Sequence, residues 1–92
     1  MKYIVQKGVV RETICGQSLL ISTKEAREYC PYLTQLNESS VFIWKMLEKG
    51  KSTDEMIQEI MHIYGITENE ADEGLTEFLN VMEGNHFITK EV

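Results

Sequence analysis

Few side chains in this 92-residue chain can do chemistry, and their spacing decides what kind. Two cysteines, Cys15 and Cys30, and two histidines, His62 and His86, are the soft ligands and nucleophiles. A structural zinc site takes about four such ligands at short spacing. Here the histidines stand far along the chain from the cysteines and share no ligand spacing with them, so no metal is expected. Two cysteines do not make a disulfide framework, and both read as reduced, partly buried thiols. A thiol–imidazole pair of either cysteine with His62 would need distant segments to meet, and nothing in the spacing asks for it. The acids fall in helical segments, where charges ordinarily form a solvated face rather than paired catalytic carboxylates. The sequence has no glycine-rich phosphate loop, nucleophile elbow or zinc-hydrolase helix. Neither enzymatic activity nor a cofactor is expected.

The elements that hold these residues must be small. With 42% hydrophobic and 26% charged residues the composition is that of an ordinary globular protein. The length suits one core, so residues 1–92 are expected to form a single domain. No apolar run approaches the roughly 20 residues of a membrane span. The opening Met1-Lys2-Tyr3-Ile4-Val5-Gln6 lacks the pattern of a signal peptide, and the expected compartment is the cytoplasm. Charge is unevenly placed. Residues 1–36 carry five cations against three acids, and residues 37–92 carry four lysines against twelve acids, for -6 in all.

The first part reads as strands. Val9–Ile14 is rich in β-branched residues, Gly16-Gln17 is a turn signal, and Ser18–Ser22 runs back as the second arm of a hairpin. Lys24 to Cys30 is polar, a loop or a single helical turn. Pro31 then favours an extended chain, and Tyr32-Leu33-Thr34-Gln35-Leu36 reads as a short third strand at a sheet edge, where a proline at its start breaks no ladder bond.

The second part reads as three helices. The first runs from about Ser39 to Lys49, capped by Asn37 and stopped by Gly50, with Ser40, Ile43, Trp44 and Leu47 at helical spacing. Trp44 reads as a core anchor. The second opens on the capping box Ser52-Thr53-Asp54-Glu55, buries Met56, Ile57, Ile60, Met61 and Tyr64, and ends at Gly65. The third opens on the box Thr67-Glu68-Asn69-Glu70, buries Ala71, Leu75, Phe78, Leu79 and Met82, and stops at Gly84. The tail His86–Thr89 reads as a short strand or an extended cover. A three-stranded antiparallel sheet followed by three helices predicts a small α+β domain, winged-helix-like in outline.

The second and third helices, joined around Gly65-Ile66, have a helix-turn-helix outline that raises nucleic-acid binding as an alternative. The would-be recognition helix carries Glu68, Glu70, Asp72, Glu73, Glu77 and Glu83 with no Lys or Arg. Phosphate approach needs cations and base reading most often uses Arg, so the charges argue against that outline. What remains is an interaction module. An edge strand at 32–36 can accept an added strand from another peptide through its unpaired N–H and C=O groups. On the residues alone, that reading stands level with one in which the chain's own N-terminus or tail covers the edge. An open edge can also pair with itself, giving a homodimer.

The order Val9–Gly16, Leu19-Leu20-Ile21, Leu36-Asn37-Glu38, Ile43-Trp44-Lys45-Met46-Leu47, then Gly50, Ser52-Thr53, Tyr64-Gly65, Phe78-Leu79 and Phe87-Ile88, resembles the PqqD family over nearly the whole chain. The resemblance implies a non-catalytic peptide chaperone that binds the leader of a ribosomally made precursor peptide as an added strand. It implies a groove between the third strand and the third helix, and a modifying enzyme of the radical SAM/SPASM type as partner. The family's founding member serves pyrroloquinoline quinone synthesis. Carried over by position, the peptide-binding candidates are Tyr32, Leu33, Thr34, Gln35 and Leu36 on the strand and Asp72, Leu75, Thr76 and Leu79 on the helix. Leu75 and Leu79 read equally well as plain core. At Gly74 the sequence departs from the family pattern, which places an acid just before an aliphatic residue.

Overall fold

The structure, a computed structural model, describes residues 1–23 and 25–91. Lys24, where the polar segment ahead of Pro31 begins, lies outside the described residues. In chain order the elements are β1 (Tyr3–Val5), β2 (Val9–Ile14), β3 (Gln17–Ser22), β4 (Leu33–Leu36), α1 (Glu38–Glu48), α2 (Thr53–Tyr64), α3 (Glu68–Gly84) and β5 (Ile88–Lys90). The expected antiparallel sheet is present in the order β2-β3-β4.

The hairpin turns one residue earlier than the sequence suggests. Ile14 pairs with Gln17, which leaves Cys15 and Gly16 as the two turn residues. Both have positive φ, 52° and 78°, as a two-residue turn of the primed kind requires. Gln17 therefore belongs to the strand. Cys15, expected to be partly buried, sits exposed at the hairpin tip, whereas Cys30 is buried.

Two short strands change the picture at the ends. β1 escaped the sequence reading and pairs antiparallel with β5, Tyr3 opposite Lys90 and Val5 opposite Ile88. The tail is thus a strand, and its partner is the N-terminus rather than the edge of the larger sheet.

The helices follow their punctuation. Asn37 caps α1, accepting from the Ser40 amide at 2.8 Å. Both capping boxes close: Ser52 with Glu55, and Thr67 with Glu70, each satisfying two backbone amides, that of the cap and that of the third helical residue. Gly65 ends α2 in the left-handed region. α3 runs through Gly84 and is capped by Asn85 instead.

The inner face of the sheet, with Val9, Leu20 and Leu36, packs into a core with Trp44, Leu47, Met56, Ile60, Leu75, Leu79, Met82, Phe87 and Ile88. Trp44 is 1% exposed, as a core anchor should be. Tyr64 does not join the buried stripe of α2. It is 47% exposed and meets Phe42 edge-on, with ring centroids 5.8 Å apart.

Candidate functional site: an open strand edge beside an apolar groove

The segment 27–32 is tied to β3 before β4 begins. The buried Ser22 hydroxyl donates to the Pro31 carbonyl at 2.6 Å, and its amide donates to the Tyr32 carbonyl at 2.9 Å. Arg27 Nε donates to the Ser22 carbonyl, and its guanidinium stacks over the Tyr32 ring at 4.6 Å. The Cys30 thiol donates to the His86 carbonyl at 3.1 Å, joining this segment to the turn after α3. Burial pushes the Cys30 thiol up, partly offset by a hydrogen bond with Ser22, so it stays protonated and able to donate.

These bonds fix which way the strand's backbone faces. In an antiparallel pair, opposite residues alternate between exchanging both main-chain bonds and exchanging none. Ser22 and Tyr32 are a bonded pair. With Leu33 opposite Ile21, Thr34 opposite Leu20 and Gln35 opposite Leu19, the alternation turns the N–H and C=O of Thr34 toward β3. It turns those of Leu33 and Gln35 away from β3. β4 is the end of its sheet, and among the described residues no strand pairs with its outer side. Four main-chain groups, two donors and two acceptors, therefore line an open edge.

A groove of about 480 Å³ starts at Asn37, the residue after β4. It runs between α1 and α3 rather than between the third strand and the third helix as the resemblance implies, and no residue of β4 lines it. One wall is the start of α1, with Ser39, Ser40 and Ile43; the other is α3, with Glu70, Gly74, Glu77, Phe78 and Val81. Ala71, Leu75 and Met82 form its floor, and Tyr64 and Ile66 close it at the turn between α2 and α3. Gly74 meets no heavy atom within 4 Å of where a Cβ would stand, so the missing side chain widens the groove. The lining includes Glu70 and Glu77 and no Lys, Arg or His.

The residues singled out from the sequence are distributed as follows. Leu33, Thr34, Gln35 and Leu36 form β4, and Tyr32 just precedes it while still accepting a ladder bond. Leu36 is buried in the core, and Leu33 is 49% exposed. Leu75 lies on the groove floor at 2% exposure. Leu79 is core at 4%. Asp72 and Thr76 are exposed and do not line the groove. At about 100° per residue, they fall on one flank of α3 while Gly74, Phe78 and Val81 fall on the other. The α1 wall was not found from sequence. Ser39 and Ser40 directly follow a capping asparagine, a position that reads as a cap and carries no signal for a binding wall.

Among the described residues no three His, Cys, Asp or Glu side chains converge as metal ligands. Among them, too, no helix is long and apolar enough to cross a membrane.

The structure is thus a small α+β domain with a bare strand edge and, from Asn37 on, an apolar groove between α1 and α3. The family model for coenzyme PQQ synthesis protein D (PqqD) matches residues 32–88, more than half of the chain and the part that holds β4 and the groove. The chain belongs to the PqqD family. Its fold is shared with a solved structure described as "TbiB1 in Complex with the TbiA(beta) Leader Peptide". That match has a TM-score of 0.80 at 19% identity and covers 97% of this chain and 98% of the other. No curated protein matches the sequence.

Proposed function

We propose that this protein is a non-catalytic chaperone that binds the leader of a ribosomally made precursor peptide and presents it to a modifying enzyme. The leader adds as a strand to the outer side of β4. Its main chain bonds to the outward groups of Leu33 and Gln35, and alternate side chains enter the groove between α1 and α3. The observation that carries this reading is the register of β4, which leaves those groups unpaired on an edge that runs up to Asn37, where the groove begins. Family membership and the leader-bound relative of the same fold support it. The enzyme served is of the radical SAM type, in pyrroloquinoline quinone or other modified-peptide synthesis, by extension from the family.

Leu33 and Gln35 are the main-chain partners in this reading, Thr34 and Leu36 hold the strand to β3, and Leu75 lies beneath the guest. The same edge can pair with that of a second copy, and such a homodimer would compete with the guest. Nucleic acid is the disfavoured partner, because α3 presents acids and no cation to the solvent.

The test uses leaders translated from short reading frames that neighbour the gene. Titrated into isotope-labelled protein, a true leader protects the amides of Leu33 and Gln35 from exchange and shifts the resonances of Phe78 and Val81. A proline at the leader's mid-strand position abolishes both effects. Binding that leaves the Leu33 and Gln35 amides exchanging freely refutes strand addition.

A further inference from the structure

We infer that the groove selects a basic guest: an extended peptide with an apolar residue flanked two places away on each side by Lys or Arg. The inference rests on the strand-addition reading and deepens it. Successive residues of an added strand point to opposite faces, so positions i, i+2 and i+4 share the groove side. The middle of the groove is apolar, made by Gly74, Leu75, Phe78, Val81 and Ile43, and takes the central aliphatic or aromatic side chain.

The two polar groups that α3 gives the groove are both carboxylates, one on each side of Gly74 and Leu75, with Phe78 and Val81 beyond the second. Glu70 and Glu77 lie seven positions apart, about 10 Å along a helix axis, and a strand's i and i+4 residues lie about 14 Å apart. Two flexible basic side chains bridge that difference. Glu77 has no ion-pair or hydrogen-bond partner among the described residues. Glu70 uses Oε1 in its capping box, which leaves Oε2 for a guest. No cation lines the groove to offset them, and the surrounding field is set by a half-chain with twelve acids and four lysines. An acidic guest is repelled and a neutral one gains nothing from the rim.

The experiment measures fluorescence anisotropy with a short labelled peptide of threonines, with leucine at its centre and lysine two places to either side. Companion peptides carry glutamine or glutamate in place of both lysines, or proline next to the leucine. Two half-exposed ion pairs should make the lysine peptide bind about fivefold tighter than the glutamine peptide, with the difference shrinking in high salt. The glutamate peptide should bind weakest. The double variant Glu70→Gln/Glu77→Gln should bind the lysine and glutamine peptides alike; glutamine at position 70 keeps the capping box, so the fold is preserved. Equal binding of lysine and glutamine peptides by the unaltered protein, with the proline peptide still excluded, overturns the basic-guest inference and leaves strand addition standing. Binding that ignores the proline, or no binding by any of the peptides, overturns both.

Discussion

Proline at position 35 and proline at position 34 should have opposite consequences, although the two residues are neighbours on one strand. The amide of Gln35 points away from β3, so Gln35→Pro removes no ladder bond and places its ring at an edge, where strands tolerate proline. The fold should lose less than about 1 kcal/mol. The guest loses one of four main-chain partners, and its own carbonyl is left facing a ring. A net hydrogen bond is worth about 1 kcal/mol, and an unpaired group at a half-covered edge raises the cost to about 2 kcal/mol. Binding should weaken roughly five- to thirtyfold. Thr34→Pro instead deletes an inward donor opposite Leu20, a fully buried residue. The stranded Leu20 carbonyl costs about 2–3 kcal/mol, or roughly 10–20 °C of melting temperature in a domain this small. The assay pairs thermal melting by circular dichroism with anisotropy of the lysine-flanked peptide. Equal melting of the two variants, or unchanged peptide affinity in Gln35→Pro, would refute the assigned register and with it the open edge.

Other outcomes follow from single features. Gly74→Ala should raise stability by about 0.5–1 kcal/mol, because the position is helical and has open space, while Gly74→Trp should fill the groove and abolish peptide binding without unfolding the protein, as read by melting and anisotropy together. The Glu55 carboxyl is held below the ordinary carboxylate range, first by the Ser52 backbone amide and then by its hydroxyl. A depressed folded-state value means stability that is present above the unfolded pKa and lost as pH falls through the folded one. Acid melting of Glu55→Gln should therefore show a shallower loss below about pH 4 than the parent. A thiol reagent should modify the exposed Cys15 promptly and spare Cys30, which is buried, donates to His86 and has its pKa raised, as mass spectrometry of the native protein would show.

How far the sequence could be read depended on whether a signal was local. Both capping boxes and the Asn37 cap involve residues three apart, and each appears where the sequence placed it. β4 was legible because proline and an alternating run lie together, and the proline ahead of it fits the edge position that the sheet order gives the strand. β1 was not legible. Three residues carry too little pattern, and what makes them a strand is β5 at the far end of the chain. The hairpin turn was misplaced by one residue because Cys15 gives no hint that it will adopt a positive φ. On α3 the buried stripe was found, but a stripe tells which face is inward and not which flank has a neighbour. Choosing between the flank of Asp72 and that of Phe78 needs the direction of α1, which no helical periodicity contains. Tyr64 shows the same limit: its spacing fits the core, and its exposure is set by the groove that α1 leaves beside it.

The pairing of β1 with β5 has a topological consequence. Tyr3 lies opposite Lys90, and the Glu91 amide donates to the Lys2 carbonyl at 3.0 Å, so the chain enters and leaves at one spot. Cα atoms across such a pair are about 5 Å apart, close to the gap between the stems of an ordinary surface loop. The whole fold can therefore be spliced into a host enzyme at a hairpin, or rejoined end to end and reopened elsewhere, without stretching either partner.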